Sequence, residues 1–354
     1  MELVIGSYSE PNDAGIHVYQ WDSVEGFTNT TNIVGIENPS YLDIEHHARL
    51  IYAITEKKDG GVAELHIYQI QAEGALANHL TCIPFPGAGS CYISTDNDKK
   101  HAFITNYGDG TLTVIKLPSE MSSGSVVQHL QFLGNGPNEE RQDKPHTHAA
   151  LLSKDEKYLY CTDLGSDRLY RFAYFPEANL PLQAETPPHI SLPPGSGPRH
   201  FTFSPNGRWL YLITELSGEI FLVDTENLTE SWQNRISLLQ NGYQGKIEAG
   251  DIQVHPNGRF LYASNRGEAN EIIVFNVNQE NGQISFLQRI GAAGLSPRCL
   301  LVCEKENLFL VANEQSDNVL IFTLNTDGTL EFSKEHLQVS CPTCLKIIVR
   351  DIET

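Results

Sequence analysis

Ser204-Pro-Asn-Gly-Arg-Trp-Leu-Tyr211 returns almost unchanged as His255-Pro-Asn-Gly-Arg-Phe-Leu-Tyr262. Each copy has an apolar run before it (Arg199–Phe203, Gly250–Val254) and another at its end. Asn-Gly between two such runs is the strongest short-range hairpin signal, because both positions accept positive φ. Two more segments align with these without gaps, Ser153-Lys-Asp-Glu-Lys-Tyr-Leu-Tyr160 and Cys303-Glu-Lys-Glu-Asn-Leu-Phe-Leu310. Two fainter copies precede them. Ser40-Tyr-Leu-Asp-Ile-Glu45 is followed by Leu50-Ile-Tyr-Ala-Ile-Thr55, and Ser90-Cys-Tyr-Ile-Ser94 by His101-Ala-Phe-Ile-Thr105.

After its second run each copy has a short polar turn and a third apolar strand, such as Leu65-His-Ile-Tyr68, Ile220-Phe-Leu-Val223 or Val319-Leu-Ile-Phe322. The period is irregular, roughly 46 to 58 residues, which suits four-stranded blades. Six copies are complete and a seventh is split. Cys344-Leu-Lys-Ile-Ile-Val349 reads as a first strand with nothing after it. Leu3-Val-Ile-Gly-Ser-Tyr8 and Gly15-Ile-His-Val-Tyr19 read as second and third strands with nothing before them. The expected fold is all-β: one seven-bladed β-propeller domain over residues 1–354, its closing blade built from the N- and C-terminal strands. Closure of this kind hides sheet edges that would otherwise invite aggregation. A long open sheet, or several small sandwiches, leaves both half-blades unpaired.

Composition narrows the function. Twenty-four Lys and Arg stand against 44 Asp and Glu, a formal charge of −20. Such a field repels nucleic acid and anionic membranes, so neither is an expected partner. An anionic ligand would need a local cluster of Arg. No stretch approaches the eighteen or so apolar residues that cross a bilayer. The start, Met1-Glu2-Leu3-Val4-Ile5-Gly6, lacks the basic and apolar segments of a secretion signal, and the odd count of 7 cysteines suits reduced thiols. A cytoplasmic protein is expected. Cys341-Pro-Thr-Cys344 has no second pair to complete a zinc site, and His146-Thr-His148 has no third ligand close by, so no metal is expected.

In each blade the first and second strands form an antiparallel hairpin, so the start of the first and the end of the second lie at one end of the ring. Counting from the aligned turns, the leading slot holds Ser40, Ser90, His148, Arg199, Gly250, Arg298 and Thr343. The trailing slot holds Glu56, Asn106, Leu164 (after Asp163), Glu215, Arg266, Glu314 and about Ser7. A purely structural ring would repeat one residue type here, as the strand tyrosines and leucines repeat. These slots differ from blade to blade, and loops on a rigid scaffold are where function concentrates. A Glu at a strand end can simply pair with an Arg, and a His can cap a turn. The cluster His148, Arg199, Glu215 and Arg266 goes further, because two Arg facing one cavity repel unless an anion lies between them.

There is no Gly-x-Ser-x-Gly, no phosphate-cradling Gly-rich loop on a helix and no dinucleotide fingerprint, and no cofactor is expected. Acid–base chemistry remains. Glu and His beside guanidinium groups suit attack of water on an ester carbonyl, with Arg stabilising the oxyanion. Arg also grips carboxylate or phosphate in bidentate fashion, so a small anionic acid or lactone is the expected substrate.

At these residues the sequence resembles the seven-bladed lactonase family, which includes bacterial propeller-type 6-phosphogluconolactonase and fungal carboxy-cis,cis-muconate cyclase. The resemblance is carried by Asn38-Pro-Ser-Tyr-Leu42, Arg141-Gln142 with Pro145-His-Thr-His148, Asp163-Leu-Gly-Ser-Asp-Arg168, Gly197-Pro-Arg-His200, Glu215-Leu216, Ala263-Ser-Asn-Arg-Gly267, Pro297-Arg298 and Ala312-Asn-Glu-Gln-Ser-Asp317. It implies that His148, Arg199, Glu215 and Arg266 match the site of the muconate cyclase. The reaction it implies in bacterial relatives is hydrolysis of 6-phospho-D-glucono-1,5-lactone to 6-phosphogluconate, in the pentose phosphate pathway and without a metal. Arg141, Arg298 and Lys346 then become candidates for the phosphate, with Asn106 and Glu314 as further substrate contacts. The second blade departs from the pattern at Gly89-Ser-Cys-Tyr92, as does the third at Leu164, which leaves one wall apolar. A carboxymuconate cycloisomerase would use the same pocket, needing one acid, one base and carboxylate clamps. A non-catalytic binding scaffold would show apolar loops, whereas Gly134–Lys144 and Glu177–Pro194 are polar and Pro-rich.

Overall fold

The computed structural model describes residues 1–57, 61–71, 77–120, 122–228 and 234–349. The repeated hairpins become seven four-stranded antiparallel sheets. Their innermost strands are Tyr41–Glu45, Ser90–Thr95, Thr147–Leu152, Pro198–Phe203, Ala249–Val254, Pro297–Cys303 and Pro342–Ile348, taken below as blades 1 to 7. Each innermost strand touches the next, and the seventh touches the first, so the sheets close into a ring. In blade 7 Pro342–Ile348 pairs antiparallel with Glu2–Ser7, Ile348 opposite Glu2 and Cys344 opposite Gly6. Among the described residues the helical segments are two single 3-10 turns, Glu304–Glu306 and Glu314–Ser316, and none is long and apolar enough to cross a membrane.

The hairpin turns depart from the sequence expectation in one respect. Only the glycine of each Asn-Gly pair takes positive φ, Gly207 at 75° and Gly258 at 72°. The asparagines act through their side chains instead. Asn206 Oδ1 accepts hydrogen bonds from Ser204 Oγ at 2.6 Å and from the Arg208 amide at 3.1 Å, while the Gly207 amide closes the turn on the Ser204 carbonyl. Pro at the second turn position and Gly at the fourth are what such a turn favours.

The rest of the repeat is explained by contact between blades. Trp209 of blade 4 lies against Gly282 in the last turn of blade 5, and Phe260 of blade 5 lies against Gly328 in the last turn of blade 6. A Cβ at either glycine would collide with the ring. Two residues on, Tyr211 and Tyr262 are fully buried, and their hydroxyls donate to those same glycine carbonyls at 2.9 and 3.0 Å. One repeated aromatic-x-Tyr unit thus fastens blade 4 to blade 5 and blade 5 to blade 6. The second strands, Trp209–Thr214 and Phe260–Asn265, are buried along their whole length, which is why they read as continuous apolar runs. Outer strands such as Gly26–Ile33 are half-buried or exposed along most of their length.

Candidate active site

The mouth of the ring is shaped by an irregularity that recurs in the inner hairpins. In blade 3, Thr147 pairs with Asp163 but Ala150 with Cys161, so the first strand holds one residue more than its partner. The same extra residue occurs between Pro198 and Phe201, and between Ala249 and Ile252. It recurs between Ser90 and Tyr92, Pro297 and Cys299, and Pro342 and Cys344. A bulge bends the strand and re-aims the side chains inside it. The bulged segments carry His148, Arg199, Cys91 and Arg298, and these four face a common cavity of about 370 Å³.

Residues just past the second strands complete its wall: Glu56, Tyr107, Glu215 and Arg266. Glu248, immediately before blade 5, and Arg141, from the connection between blades 2 and 3, close the mouth. Arg141 is held in place by its neighbour Gln142, fully buried, whose Nε2 donates to the Leu164 carbonyl and Asp167 Oδ1, both at 2.8 Å.

Glu215 is the electrostatic hub. Arg199 Nε and Arg266 Nη2 each lie 3.0 Å from its Oε2, and Arg141 Nη2 donates to its Oε1. Burial alone would push this carboxyl up, but Arg266, Arg199 and Arg141 together bring it down to about 2. Arg199, only 2 % exposed, also donates from Nη1 to the Gly250 carbonyl at 2.7 Å. Glycine is required at 250, because a Cβ there would meet Ser264 Oγ and the Pro297 carbonyl. Arg266 Nε and Glu56 Oε2 are buried without a hydrogen-bond partner, whereas Arg199 Nε meets the Glu215 carboxylate but is poorly aligned for a hydrogen bond. Buried polar atoms are normally satisfied, so the first two are positioned for a ligand. Burial lowers the Arg266 guanidinium to about 10, still charged at neutral pH.

His148 is the neutral partner of this charged wall. Burial first, then Arg199, His200 and Arg298, hold its imidazole well below the ordinary histidine value. His200 packs edge-on against it at 5.1 Å between ring centroids, and is itself brought down to about 4 by burial and Arg199, against the opposing pull of Asp251. Its Nδ1 lies 2.8 Å from Asp251 Oδ1. Cys91 contributes no thiolate, since burial pushes its thiol up to about 12. The four guanidiniums in the wall face three carboxylates that line it, Glu56, Glu215 and Glu248. A fourth, Glu314, pairs with Arg298 from behind, so the excess of one positive charge belongs to the lining alone while His148 is neutral. The local Arg cluster that an anionic ligand demands is therefore present inside a molecule of charge −20.

The structure brings His148, Arg199, Glu215, Arg266, Arg141 and Arg298 to one cavity and leaves three of the expected residues outside its lining. Glu314 stands behind Arg298, accepting from Nη1 at 3.1 Å, while Tyr8 accepts from Nη2 at 2.8 Å. Asn106 is fully buried and turned into its own blade, where it donates to Thr111 Oγ1 and Thr113 Oγ1 and accepts from Ser90 Oγ. Lys346 lies three residues beyond Thr343 along its strand, with its ammonium 5.1 Å from the centre of the Tyr41 ring. Strands rise about 3.3 Å per residue, which carries Lys346 away from the mouth. Leu164 is buried and does not line the cavity, so the apolar wall expected of blade 3 is absent. Sequence reasoning missed Cys91 and Tyr107 because blade 2 lacks the Asn-Gly marker and its slots are read one residue early. Asp96, whose amide donates to the His101 carbonyl as that of Ser204 donates to the Trp209 carbonyl, sets the slots at Cys91 and Tyr107. It passed over Glu248, which precedes its strand by a residue. A larger concavity, about 620 Å³, lies among the turns around Ser153 and Asn206 and is lined by exposed turn residues such as Lys154, Asp155 and Arg208.

Comparison with known proteins agrees with this architecture. Residues 2–347 match the family described as "Lactonase, 7-bladed beta-propeller". A 6-phosphogluconolactonase of Bacillus subtilis is 29% identical over 350 residues, 97% of each chain. One of Formosa agariphila is 29% identical over 355 residues, covering 98% of this chain and 99% of the relative. The solved structure of the periplasmic gluconolactonase PpgL of Pseudomonas aeruginosa superposes with a TM-score of 0.90 at 30% identity, over 98% of this chain and 99% of that one. A match that runs through all seven blades makes this chain a member of the seven-bladed β-propeller lactonase family.

Proposed function

We propose that the cavity hydrolyses the lactone of a sugar acid, with 6-phospho-D-glucono-1,5-lactone as substrate and 6-phosphogluconate as product. The observation that carries this reading is the placement of a neutral, buried imidazole among four guanidiniums in one cavity. The names of the Bacillus and Formosa relatives supply the sugar acid.

In this mechanism His148 is the base. Glu215 has both oxygens taken by Arg199, Arg266 and Arg141, which gives it a positioning role, whereas among the described residues no ion pair occupies the His148 ring in the cavity wall. Water attacks the C1 carbonyl as His148 takes its proton. The tetrahedral oxyanion is stabilised by the guanidiniums of Arg199 and Arg266, the latter through an Nε–H that is buried without a partner. Collapse breaks the bond to the ring oxygen, which takes the proton from His148 and leaves as the C5 hydroxyl. Arg141 and Arg298 hold the phosphate.

Initial rates on the phosphorylated lactone, with spontaneous hydrolysis subtracted, test the proposal. Glucono-1,5-lactone and a carboxylated muconolactone serve as competing substrates. The phosphorylated lactone should have the highest kcat/KM, and Arg141→Ala should raise KM for it about tenfold while changing KM for the unphosphorylated lactone little. With Glu314 paired to Arg298 the four guanidiniums meet four carboxylates, a balance that also suits an uncharged aldonolactone. A higher kcat/KM for gluconolactone would replace the substrate, and no acceleration of any lactone would overturn the reaction.

A further inference from the structure

Blade 1 carries a second cluster of reactive side chains, two strands outward from the cavity wall. His66 on Ala63–Ile70 stands directly opposite Cys82 on Ala77–Phe85. Glu64 lies two residues before His66, so all three project from one face of the sheet. Cys82 Sγ is 3.6 Å from Glu64 Oε1 and 3.8 Å from His66 Nε2, and that nitrogen is 3.8 Å from Glu64 Oε2. All three ligand atoms fall within 4.8 Å of one another.

We infer that Glu64, His66 and Cys82 form a binding site for a zinc-class divalent cation. Bonds of about 2.0–2.3 Å to sulfur, nitrogen and oxygen in a tetrahedron require ligand atoms about 3.3–3.7 Å apart, close to the spacing here. Mixed S, N and O donors suit zinc better than a hard cation such as magnesium. The surroundings favour ligation. His66 Nδ1 lies 3.1 Å from His79 Nε2, so a proton on Nδ1 donated to His79 leaves Nε2 bare and aimed at the site. An imidazole ligand whose other nitrogen donates to a fixed partner is the usual supporting arrangement. Lys57 Nζ holds Glu64 Oε2 at 3.0 Å, which leaves Oε1 turned toward Cys82. His66 is buried while Glu64 and Cys82 are half-buried, so a cation can arrive from solvent and keep a water as its fourth ligand.

Binding forms a zinc–sulfur bond and releases the Cys82 proton to solvent. It ties the outermost strand of blade 1 to the strand inside it, stapling an exposed sheet edge. None of the three ligands lines the lactonase cavity, so the site is independent of the proposed reaction.

Cobalt is the probe, because thiolate ligation to a tetrahedral Co²⁺ gives a near-ultraviolet charge-transfer band and intense visible bands. The unaltered protein, titrated with Co²⁺ and then competed with Zn²⁺, should bind one ion per chain and show that band. Cys82→Ser should abolish the band and weaken zinc binding at least tenfold. His79→Ala should weaken it by about 10- to 100-fold while keeping the band. Zinc should raise Tm in the unaltered protein and not in Cys82→Ser, with lactonase turnover the same in both. A cobalt spectrum without a thiolate band, or equal zinc affinity in Cys82→Ser, would overturn the site. The spectrum of the unaltered protein decides even if a variant folds poorly.

Discussion

The two ends of the inner hairpins follow opposite rules. At the turn end the chain repeats itself: Ser204-Pro-Asn-Gly and His255-Pro-Asn-Gly fold alike, and Trp209 and Phe260 each lie on a glycine of the next blade. At the mouth end the same backbone positions carry His148, Arg199, Gly250 and Arg298, an imidazole, two guanidiniums and a glycine. Repetition there has given way to convergence, since these side chains meet at one cavity or at its rim. In a ring built from copies, what repeats maintains the contact between copies, and what fails to repeat is available for a ligand.

The sharpest way to break that contrast is to exchange the expected phenotypes. His148→Ala should reduce kcat by about 10²–10⁴ with little change in Tm. Phe260→Ala should leave kcat and KM at 25 °C intact but cost about 3–5 kcal/mol of stability, lowering Tm on the order of 10 °C. Steady-state kinetics and thermal unfolding on both variants give the answer. A His148→Ala protein that unfolds early but turns over normally would make the mouth structural.

The fold was legible because a blade is short, local and copied. Alternating apolar runs around Asn-Gly located the hairpins, and the orphaned strands at the two termini could only complete each other. The site was legible to within a residue for the same reason, since counting from aligned turns places His148, Arg199, Glu215 and Arg266 at one end. Counting fails where the marker is faint: blade 2 has no Asn-Gly turn, and its slots are read one residue early. Ser90 pairs with Asn106 as Pro198 pairs with Thr214, so the counterparts of Arg199 and Glu215 are Cys91 and Tyr107, both in the cavity wall. Asn106 instead bonds back into its own blade. The Glu64–His66–Cys82 cluster was invisible for a related reason. Its members sit on adjacent strands, with His66 and Cys82 separated by 16 in sequence, so no spacing motif forms.

A second, smaller effect separates the roles of two mouth residues. Glu215 titrates at about 2 in the folded protein against an ordinary 4.5. The unfolded chain therefore binds the proton first as pH falls, so Glu215 stabilises the fold above about 4.5 and that contribution is lost toward 2. His148 and His200 act in the same direction at higher pH. Their folded values are depressed, His200 to about 4, so stability falls as pH drops below 6.5. Glu215→Gln leaves three guanidiniums without their anion and should cost about 3–5 kcal/mol near neutrality, with part of the loss recovered in sulfate. It should also flatten the acid limb between 4.5 and 2, read by denaturant unfolding across pH. A Glu215→Gln protein as stable as the parent, with the same acid limb, would remove Glu215 from the centre of the cluster.

The smallest expected effect concerns Lys346, which resembles the mouth residues in charge and differs from them in position. Its ammonium packs on the Tyr41 ring, and Tyr41 stacks on Tyr92 at 4.2 Å, with His200 edge-on to both. Burial disfavours its charge, but Cys344, Asp43 and Tyr92 raise its pKa above the ordinary lysine value, so it remains an ammonium serving its neighbours. Lys346→Met preserves the aliphatic stem that packs along the ring and removes only the charge. Kinetic constants on the phosphorylated lactone should stay within about twofold, because cationic residues outside direct contact act through a screened field. Arg298→Met, the same exchange in the cavity wall, should raise KM about tenfold or more if, as proposed, its guanidinium makes a buried charge-assisted hydrogen bond to the phosphate. If Lys346→Met raised KM as much as Arg298→Met, the substrate would reach down the channel past Tyr41, and the boundary between the converging mouth and the packed interior would have to move with it.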